Sequence, residues 1–123
     1  MQHKEITPIT KKFLFLLFQA SLFFIFRYSQ SYKMEELSTI KGLLDKDDVE
    51  AAINALDIFI ESNPTCDEAY YLRGNAYRKQ GNWQQAINNY LSAIEINPQS
   101  PALQAHKMIM DILNFYNKDM YNQ

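Results

Sequence analysis

The sequence predicts an all-α protein built from pairs of antiparallel helices, and three observations favour this class. The 123 residues include only three Gly and four Pro, so turn-forming residues are scarce. From Met34 onward, apolar residues recur at steps of three and four, the period of a helix with one buried face. The phrase AINALDIFIESNP at 52–64 returns as AINNYLSAIEINP at 86–98, with seven of thirteen letters identical. The constant offset between the two copies indicates a structural repeat.

Residues 1–33 differ in composition from the rest of the chain. They hold five basic residues, one acid and six of the eight Phe. The run FLFLLFQASLFFIF at 13–26 follows Lys11 and Lys12 and precedes Arg27, a pattern typical of a secretory signal or a short anchor. As a helix this run would extend about 21 Å, against about 30 Å of hydrocarbon in a bilayer.

Two interpretations stay open for this segment. Either residues 11–28 are an export signal or membrane anchor, or residues 1–33 are translated upstream sequence and the native start is Met34. We expect a membrane-anchored or exported protein in the first case and a cytoplasmic one in the second. A membrane is therefore an expected partner only if residues 1–33 are present in the native protein.

The first two helices of the body are predicted over Met34–Leu44 and from the next aspartates to Asn63. Asp47 or Asp48 is expected to cap the second helix, and Pro64 ends it because a residue before proline disfavours the helical conformation. The apolar face of the first helix is Leu37, Ile40, Leu43 and Leu44, and that of the second is Ala52, Ile53, Leu56, Phe59 and Ile60.

The third helix is predicted to begin at a capping box, in which Thr65 and Glu68 each bond the other's free amide. This start places Cys66 in the first turn, and Gly81 is expected to end the helix in the left-handed conformation.

The fourth and fifth helices have similar start signals. Asn82 and Gln85 repeat the capping arrangement for the fourth helix, which is predicted to end at Asn97-Pro98. Ser100 is expected to cap a fifth helix with Pro101 at its first helical position, and this helix is predicted to continue to about Asn117.

Residues 67–100 resemble a known family. The stretch Tyr70-x2-Arg73-Gly74-x2-Tyr77, then Ala86-x3-Tyr90 and Pro98, follows the tetratricopeptide pattern, whose period equals the offset between the two copies of the phrase. The resemblance implies a short α-solenoid in which antiparallel helix pairs stack and a single carboxy-terminal helix covers the open end.

The resemblance also divides the chain. It implies an amino-terminal segment at 1–33, a degenerate unit at 34–66, a well-matched unit at 67–100, and a capping helix and tail at 101–123. In the first unit Ile40 and Phe59 stand where the second has Gly74 and Ala93, so the usual tight helix crossing is not expected there.

The function that the resemblance implies is non-catalytic binding of a peptide or partner protein in a concave groove. The implied groove residues are Lys41, Glu68, Tyr71, Asn75, Arg78, Lys79, His106 and Ile109, with Met34, Leu37, Leu44, Ala102 and Ala105 facing the same side. Some relatives clamp a carboxylate with Asn and cationic side chains, and Asn75, Lys41 and Arg78 supply part of such a set. Arg78 and Lys79 have a second interpretation, as cations that interact with the carboxyl end of a helix.

The sequence of the last helix predicts a second interaction surface. The stretch HKMIMDILNFY at 106–116 places apolar side chains around more than one face, and only one face packs on the fourth helix. The remainder predicts an exposed apolar patch of the kind that marks interaction sites. We therefore expect this helix to support a homodimer or to dock a partner protein.

Other functional classes find no support in the sequence. Residues 34–123 hold seven basic and thirteen acidic residues, which argues against nucleic acid as a partner. Cys66 is the only cysteine, and His3 and His106 have no second ligand at metal-binding spacing. No phosphate loop and no nucleophile with its base is present, so we predict neither enzyme activity nor a cofactor. The alternative to an interaction module is a membrane-tethered or exported structural subunit anchored by residues 11–28.

Overall fold

Five α-helices make up the fold, and no strand occurs in the part of the chain that the computed structural model describes, residues 7–121. The predicted all-α class is therefore confirmed. In chain order the helices are α1 Pro8–Asp45, α2 Val49–Ser62, α3 Asp67–Lys79, α4 Trp83–Ile96 and α5 Ala102–Tyr121.

The chain divides into two compact units, Met1–Glu36 and Leu37–Gln123. None of the described residues of the first unit is buried, and its Phe and Leu side chains are largely exposed. By length and composition alone, α1 could cross a membrane, a criterion that a signal sequence also meets. Membrane anchoring therefore stays a prediction. His3 lies among residues 1–6, outside the described part of the chain.

The core of the second unit consists of two apolar clusters. The first joins the end of α1 to α2 and α3, and its buried residues are Leu37, Ile40, Leu44, Ala52, Ile53, Leu56, Phe59, Ile60, Ala69, Leu72 and Ala76. The second joins α4 to α5 through Ala86, Tyr90, Ala93, Ala102 and Ile109. Tyr70 and Tyr77 pack against both clusters, so the helices form one continuous stack. The predicted apolar face of α2 is buried throughout, which confirms it.

The two halves of the stack repeat each other in their backbone hydrogen bonds. At the end of α1, Asp48 N donates to Leu43 O at 2.9 Å, and at the equivalent place after α3, Asn82 N donates to Tyr77 O at the same distance. Both bonds belong to the motif in which a left-handed residue satisfies the last carbonyls of a helix. The left-handed residues are Asp47, with φ 65°, and Gly81, with φ 79°. The predicted stop at Gly81 is confirmed.

The tight packing of α3 on α4 depends on Gly74. A Cβ atom added to Gly74 would lie 2.6 Å from Cε1 of Tyr90, closer than side-chain carbons approach one another. Tyr90 is completely buried, and Ala86 and Ala93 beside it are also buried completely. Small residues on both helices therefore allow the close approach that the sequence predicted.

Two of the predicted helix caps form as expected. Asn82 Oδ1 accepts from Gln85 N at 3.2 Å, and Ser100 Oγ accepts from Ala102 N at 3.2 Å. Asp48 occupies the N-cap position of α2, but its side chain makes no capping hydrogen bond.

Some helix boundaries differ from the prediction. The first helix begins at Pro8 and runs through Met34, the predicted start of the first helix of the body. The Thr65–Glu68 capping box is wrong, because α3 begins at Asp67 with Cys66 at its N-cap position and no side-chain cap. Asp67 and Glu68 instead place negative charge in the first turn, where the helix dipole favours it. The fifth helix extends past Asn117, to Tyr121, since no helix-breaking residue interrupts its last turn.

Candidate partner-binding surface

A stripe of three side chains on α3 forms the centre of the candidate surface. Tyr71, Asn75 and Arg78 follow one another at steps of four and three residues, so they lie on one side of the helix. All three are partly exposed, whereas Leu72 and Ala76 on another side are buried in the first cluster. The local sequence thus gives α3 one face for the core and one face that solvent reaches.

Tyr90 of α4 contacts two of the three residues in this stripe. Its hydroxyl donates a short hydrogen bond to Oδ1 of Asn75. Its ring centroid lies 6.0 Å from that of Tyr71, with the two rings tilted by 38°. Tyr71 and Asn75 are therefore held by the core tyrosine beneath them, and ordering them on binding would cost less conformational entropy than ordering free surface side chains.

The electrostatic environment keeps the Tyr90 hydroxyl protonated. Burial raises the pKa of Tyr90 above its ordinary value of 10.0, because the ionised form would lose its hydration. The positive charge of Arg78 acts in the opposite direction on this pKa, and Tyr71 adds to the rise. The net shift is upward, so the hydroxyl remains a donor to Asn75 at neutral pH.

Arg78 is the member of the stripe with free binding capacity. Its side chain is partly exposed, and it makes no hydrogen bond or ion pair with any of the described residues. Its planar guanidinium carries five N–H donors suited to a carboxylate or a backbone carbonyl. The arrangement therefore places one unpaired cation on the same exposed face of α3 as one aromatic ring, two helical turns away.

Lys79 has a structural role instead. Its Nζ donates to Leu44 O at 3.0 Å and lies 3.3 Å from Oδ1 of Asp47. Both acceptors lie at the carboxyl end of α1, so Lys79 interacts with the end of the preceding helix. Lys79 lies in the last turn of α3, so it is a cation at the carboxyl end of its own helix, and its side chain also bonds the end of α1.

The remaining predicted residues have different surroundings. Lys41 and Glu68 are exposed and His106 is half-buried, and none of their side chains makes a hydrogen bond or ion pair with the described side chains at 7–118. Ile109 is only 1% exposed and belongs to the second cluster, so its side chain has no surface to offer a partner. For the same reason the predicted groove orientation is wrong for Leu37, Leu44 and Ala102, because burial of their apolar side chains in the core takes precedence.

Arg73 is a polar centre that the sequence analysis did not identify. Its Nε donates to Oδ1 of Asn89 at 2.7 Å, and one terminal nitrogen donates to Oδ1 of Asp57 at 2.8 Å. Asn89 is itself buried and donates to Gln85 O. Arg73 therefore links α2, α3 and α4 through side-chain hydrogen bonds. Nothing in the sequence pattern distinguishes such an arginine from an exposed one, since its partners lie 16 residues away on either side.

No group of three or more His, Cys, Asp or Glu side chains that could hold a metal ion occurs among the residues that the structure describes. Cys66 is a partly exposed free thiol. What this arrangement can do is make contacts through one aromatic ring, one amide and one cation.

Comparison with known proteins finds similarity to a family model and to solved structures. The model of the tetratricopeptide repeat matches residues 67–100. The solution NMR structure of the Bacteroides fragilis protein BF1650 is 67% identical, covers 71% of this chain and 89% of its own, and superposes with a TM-score of 0.63. No curated protein matches the chain.

The matched repeat covers α3 and α4, the two helices that pack tightly through Gly74 and Tyr90. Repeats of this kind are in general protein-interaction modules and are typically non-catalytic. The matched model and the stacked helices agree with each other, and the chain belongs to the tetratricopeptide repeat family.

Proposed function

We propose that this protein is an interaction module that binds a peptide or partner protein at the exposed face of α3. The observation that carries the proposal is the stripe of Tyr71, Asn75 and Arg78, in which two side chains are held by Tyr90 and the third is a free cation. Interfaces obtain most of their binding energy from a few anchored aromatic and Arg residues, and this stripe provides both.

The chemistry of the stripe favours a particular kind of ligand. The Tyr71 ring offers an apolar surface, while Arg78 and the Nδ2 group of Asn75 offer N–H donors. Tyr71 and Arg78 are about 10 Å apart along α3 at 1.5 Å per residue. An extended segment with an apolar and an acidic side chain two positions apart, on the same face of the segment, would satisfy both. Glu68 and Lys41 would then lie at the edge of the contact, where exposed charges affect association rate and selectivity more than affinity.

We further propose that α5 mediates self-association of the protein. Leu103, Met108, Ile112 and Phe115 on this helix are exposed, although they are apolar. An exposed apolar patch of this kind indicates a contact surface. This second contact would be separate from the stripe on α3, so one protein would both pair with a copy of itself and bind a partner.

The stripe is tested by comparing proteins captured on immobilised 34–123 fragments. This fragment retains all of the buried residues in the described chain, the first of which is Leu37. The test variant is Tyr71→Ala with Arg78→Glu, which removes the ring and reverses the free charge. The matched control is Glu95→Lys, a charge reversal at an exposed position of α4.

We expect the amount of at least one captured protein to be tenfold or more lower on the test variant than on the unmodified fragment, as measured by quantitative mass spectrometry. The control should capture that protein in the unchanged amount. Loss of an interfacial aromatic or Arg anchor commonly costs about 2 kcal/mol or more of binding free energy. If the test variant retains all the proteins that the unmodified fragment captures, the assignment of the α3 stripe is wrong.

A further inference from the structure

The outward side of α5 has a pattern of apolar and charged residues that is unrelated to its core contact. Ala102 and Ile109 are buried against α4, which defines the inward side. On the outward side Leu103 is 54% exposed and Phe115 63% exposed, with Lys107 and Asp111 exposed between them. Capping helices of repeat stacks usually carry a polar outer face, so this apolar content is unusual.

These four residues form a single ridge. Leu103, Lys107, Asp111 and Phe115 are spaced by four residues each, and side chains at this spacing form one of the ridges along a helix surface. The ridge is about 18 Å long at 1.5 Å per residue. Its order is apolar, positive, negative, apolar, so the ridge is complementary to itself when it is read in the opposite direction.

The two charges at the centre of the ridge are unpaired. Neither the Lys107 nor the Asp111 side chain forms a hydrogen bond or an ion pair with a side chain in the described range 7–118. They also form no ion pair with each other, although they lie four residues apart on one helix. An opposite charge from another molecule would therefore find both available.

We propose that two copies of this protein pair through α5 in an antiparallel arrangement about a two-fold axis at the level of Ile109. Positions 107 and 111 are equidistant from residue 109, and so are positions 103 and 115. The axis therefore places Lys107 of each copy opposite Asp111 of the other, and Leu103 opposite Phe115. This inference rests on the proposed self-association and specifies its geometry.

Charge complementarity selects this arrangement over the parallel one. A parallel pair would place Lys107 against Lys107 and Asp111 against Asp111, so each contact at the centre of the interface would be repulsive. Packing of the two four-residue ridges favours a crossing angle of about −50°, which limits the contact to a few turns. Since such an interface is small, we expect a reversible dimer with an affinity in the micromolar range.

The test uses reciprocal charge reversal in the 34–123 fragment, with the full chain in detergent as a second sample. The variants are Lys107→Glu, Asp111→Lys and the double reversal. Both positions are exposed, so the helix content measured by circular dichroism should not change. Sedimentation equilibrium then gives the dimer dissociation constant for each variant and for an equimolar mixture of the two single variants.

We expect each single reversal to weaken the dimer by about tenfold, because two symmetric contacts become repulsive. The mixture should recover the affinity of the unmodified protein as a heterodimer, and the double reversal should recover it as a homodimer. A monomeric unmodified protein at millimolar concentration would exclude self-association and with it this geometry. A dimer whose single variants are not rescued by mixing would exclude only the antiparallel pairing about Ile109.

Discussion

Gly74 and Tyr90 show how residue volumes are matched between the two units. In the second unit a glycine on α3 leaves space for a tyrosine ring on α4. The equivalent residues of the first unit are Ile40 and Leu56, both of which are buried. The first unit thus buries a larger residue on α1, and a smaller one on α2, than the second unit has at the equivalent positions of α3 and α4.

This matching predicts that Gly74→Ala destabilises the protein. The added Cβ would lie 2.6 Å from the Tyr90 ring, which is buried and has no space to move into. We expect a loss of about 2 kcal/mol in the free energy of unfolding, measured by urea denaturation of the 34–123 fragment.

Gly42→Ala is the matched control for this substitution. Gly42 also lies within a helix, but a Cβ there would meet nothing within 4 Å. We expect it to stabilise the fragment by about 0.5–1 kcal/mol, since alanine is the better helix former. Equal effects of the two substitutions would mean that the Tyr90 contact does not determine the packing of α3 on α4.

At the scale of helices, the left-handed residues that end α1 and α3 differ in how well they suit that conformation. Gly81 adopts φ 79° without steric cost, whereas Asp47 adopts φ 65° with a Cβ present. Asp47 has a compensating contact with Nζ of Lys79, an exposed ion pair at 3.3 Å. Exposed pairs of this kind contribute little to stability. The first unit thus keeps the backbone bonds of the repeat with a residue less suited to them.

The difference between glycine and aspartate at these left-handed positions predicts opposite effects on stability for two substitutions. Gly81→Ala should lower the free energy of unfolding by about 1 kcal/mol, since the added Cβ meets no neighbour and only the left-handed backbone conformation is strained. Asp47→Gly should leave stability unchanged or raise it by up to about 1 kcal/mol. Thermal denaturation of both variants measures the effects. A Gly81→Ala variant as stable as the unmodified fragment would argue against the left-handed stop.

Some helix ends could be predicted from the sequence, and others could not. The stops at Asn63, Gly81 and Asn97 follow from proline and glycine chemistry, which acts over one or two residues. The start of α3 could not be predicted in this way. Thr65 and Glu68 have the spacing of a capping box, but the N-cap position is Cys66, one residue later than that box predicts. Helix starts depend on how the preceding turn docks, and a local motif does not include that information.

For the molecule as a whole, the buried Tyr90 links α3, α4 and α5. Its ring fills the space over Gly74, and its cluster includes Ala102 and Ile109 of the last helix. Its hydroxyl bonds Asn75 on the exposed stripe. The stability of the core and the order of the candidate binding surface therefore depend on the same side chain.

The raised pKa of Tyr90 predicts that the protein becomes less stable at alkaline pH. The pKa of Tyr90 is raised in the folded protein relative to its value of 10.0. The folded state therefore favours the protonated form, and this contribution to stability is fully present below pH 10 and decreases as the pH rises through the folded pKa. We expect the free energy of unfolding to fall above about pH 10, in denaturant titrations between pH 7 and pH 11.

Two phenylalanine variants separate this effect from general alkaline denaturation. Tyr90→Phe should lose about 1 kcal/mol at neutral pH with the hydrogen bond to Asn75, and its stability should then fall less steeply above pH 10. Tyr116→Phe is the matched control, because Tyr116 is largely exposed. If the free energy of unfolding falls with pH at the same rate in the unmodified protein and in Tyr90→Phe above pH 10, the burial of Tyr90 has no effect on the pH dependence of stability.

The sequence by itself determined the helical class, the repetition of the helix pair and the helix ends marked by Gly and Pro. Each of these depends on local conformational preference or on the periodicity of apolar residues, and both are readable along the chain. The family resemblance also assigned Glu68, Tyr71, Asn75, Arg78 and Lys79 of α3 to the groove, and Tyr71, Asn75 and Arg78 form the partly exposed stripe.

Only the tertiary structure decided what each of these side chains does. Asn75 is bonded by Tyr90, Lys79 is bonded to the end of α1, and Ile109 is buried. The polar side chain of Arg78, by contrast, has no hydrogen-bond partner among the described residues. These outcomes depend on neighbours that are distant in sequence, as the contact of Lys79 with Leu44 across 35 residues illustrates. Helical periodicity gives the direction in which a side chain points from the helix axis. Which residues that side chain contacts depends on how the helices pack.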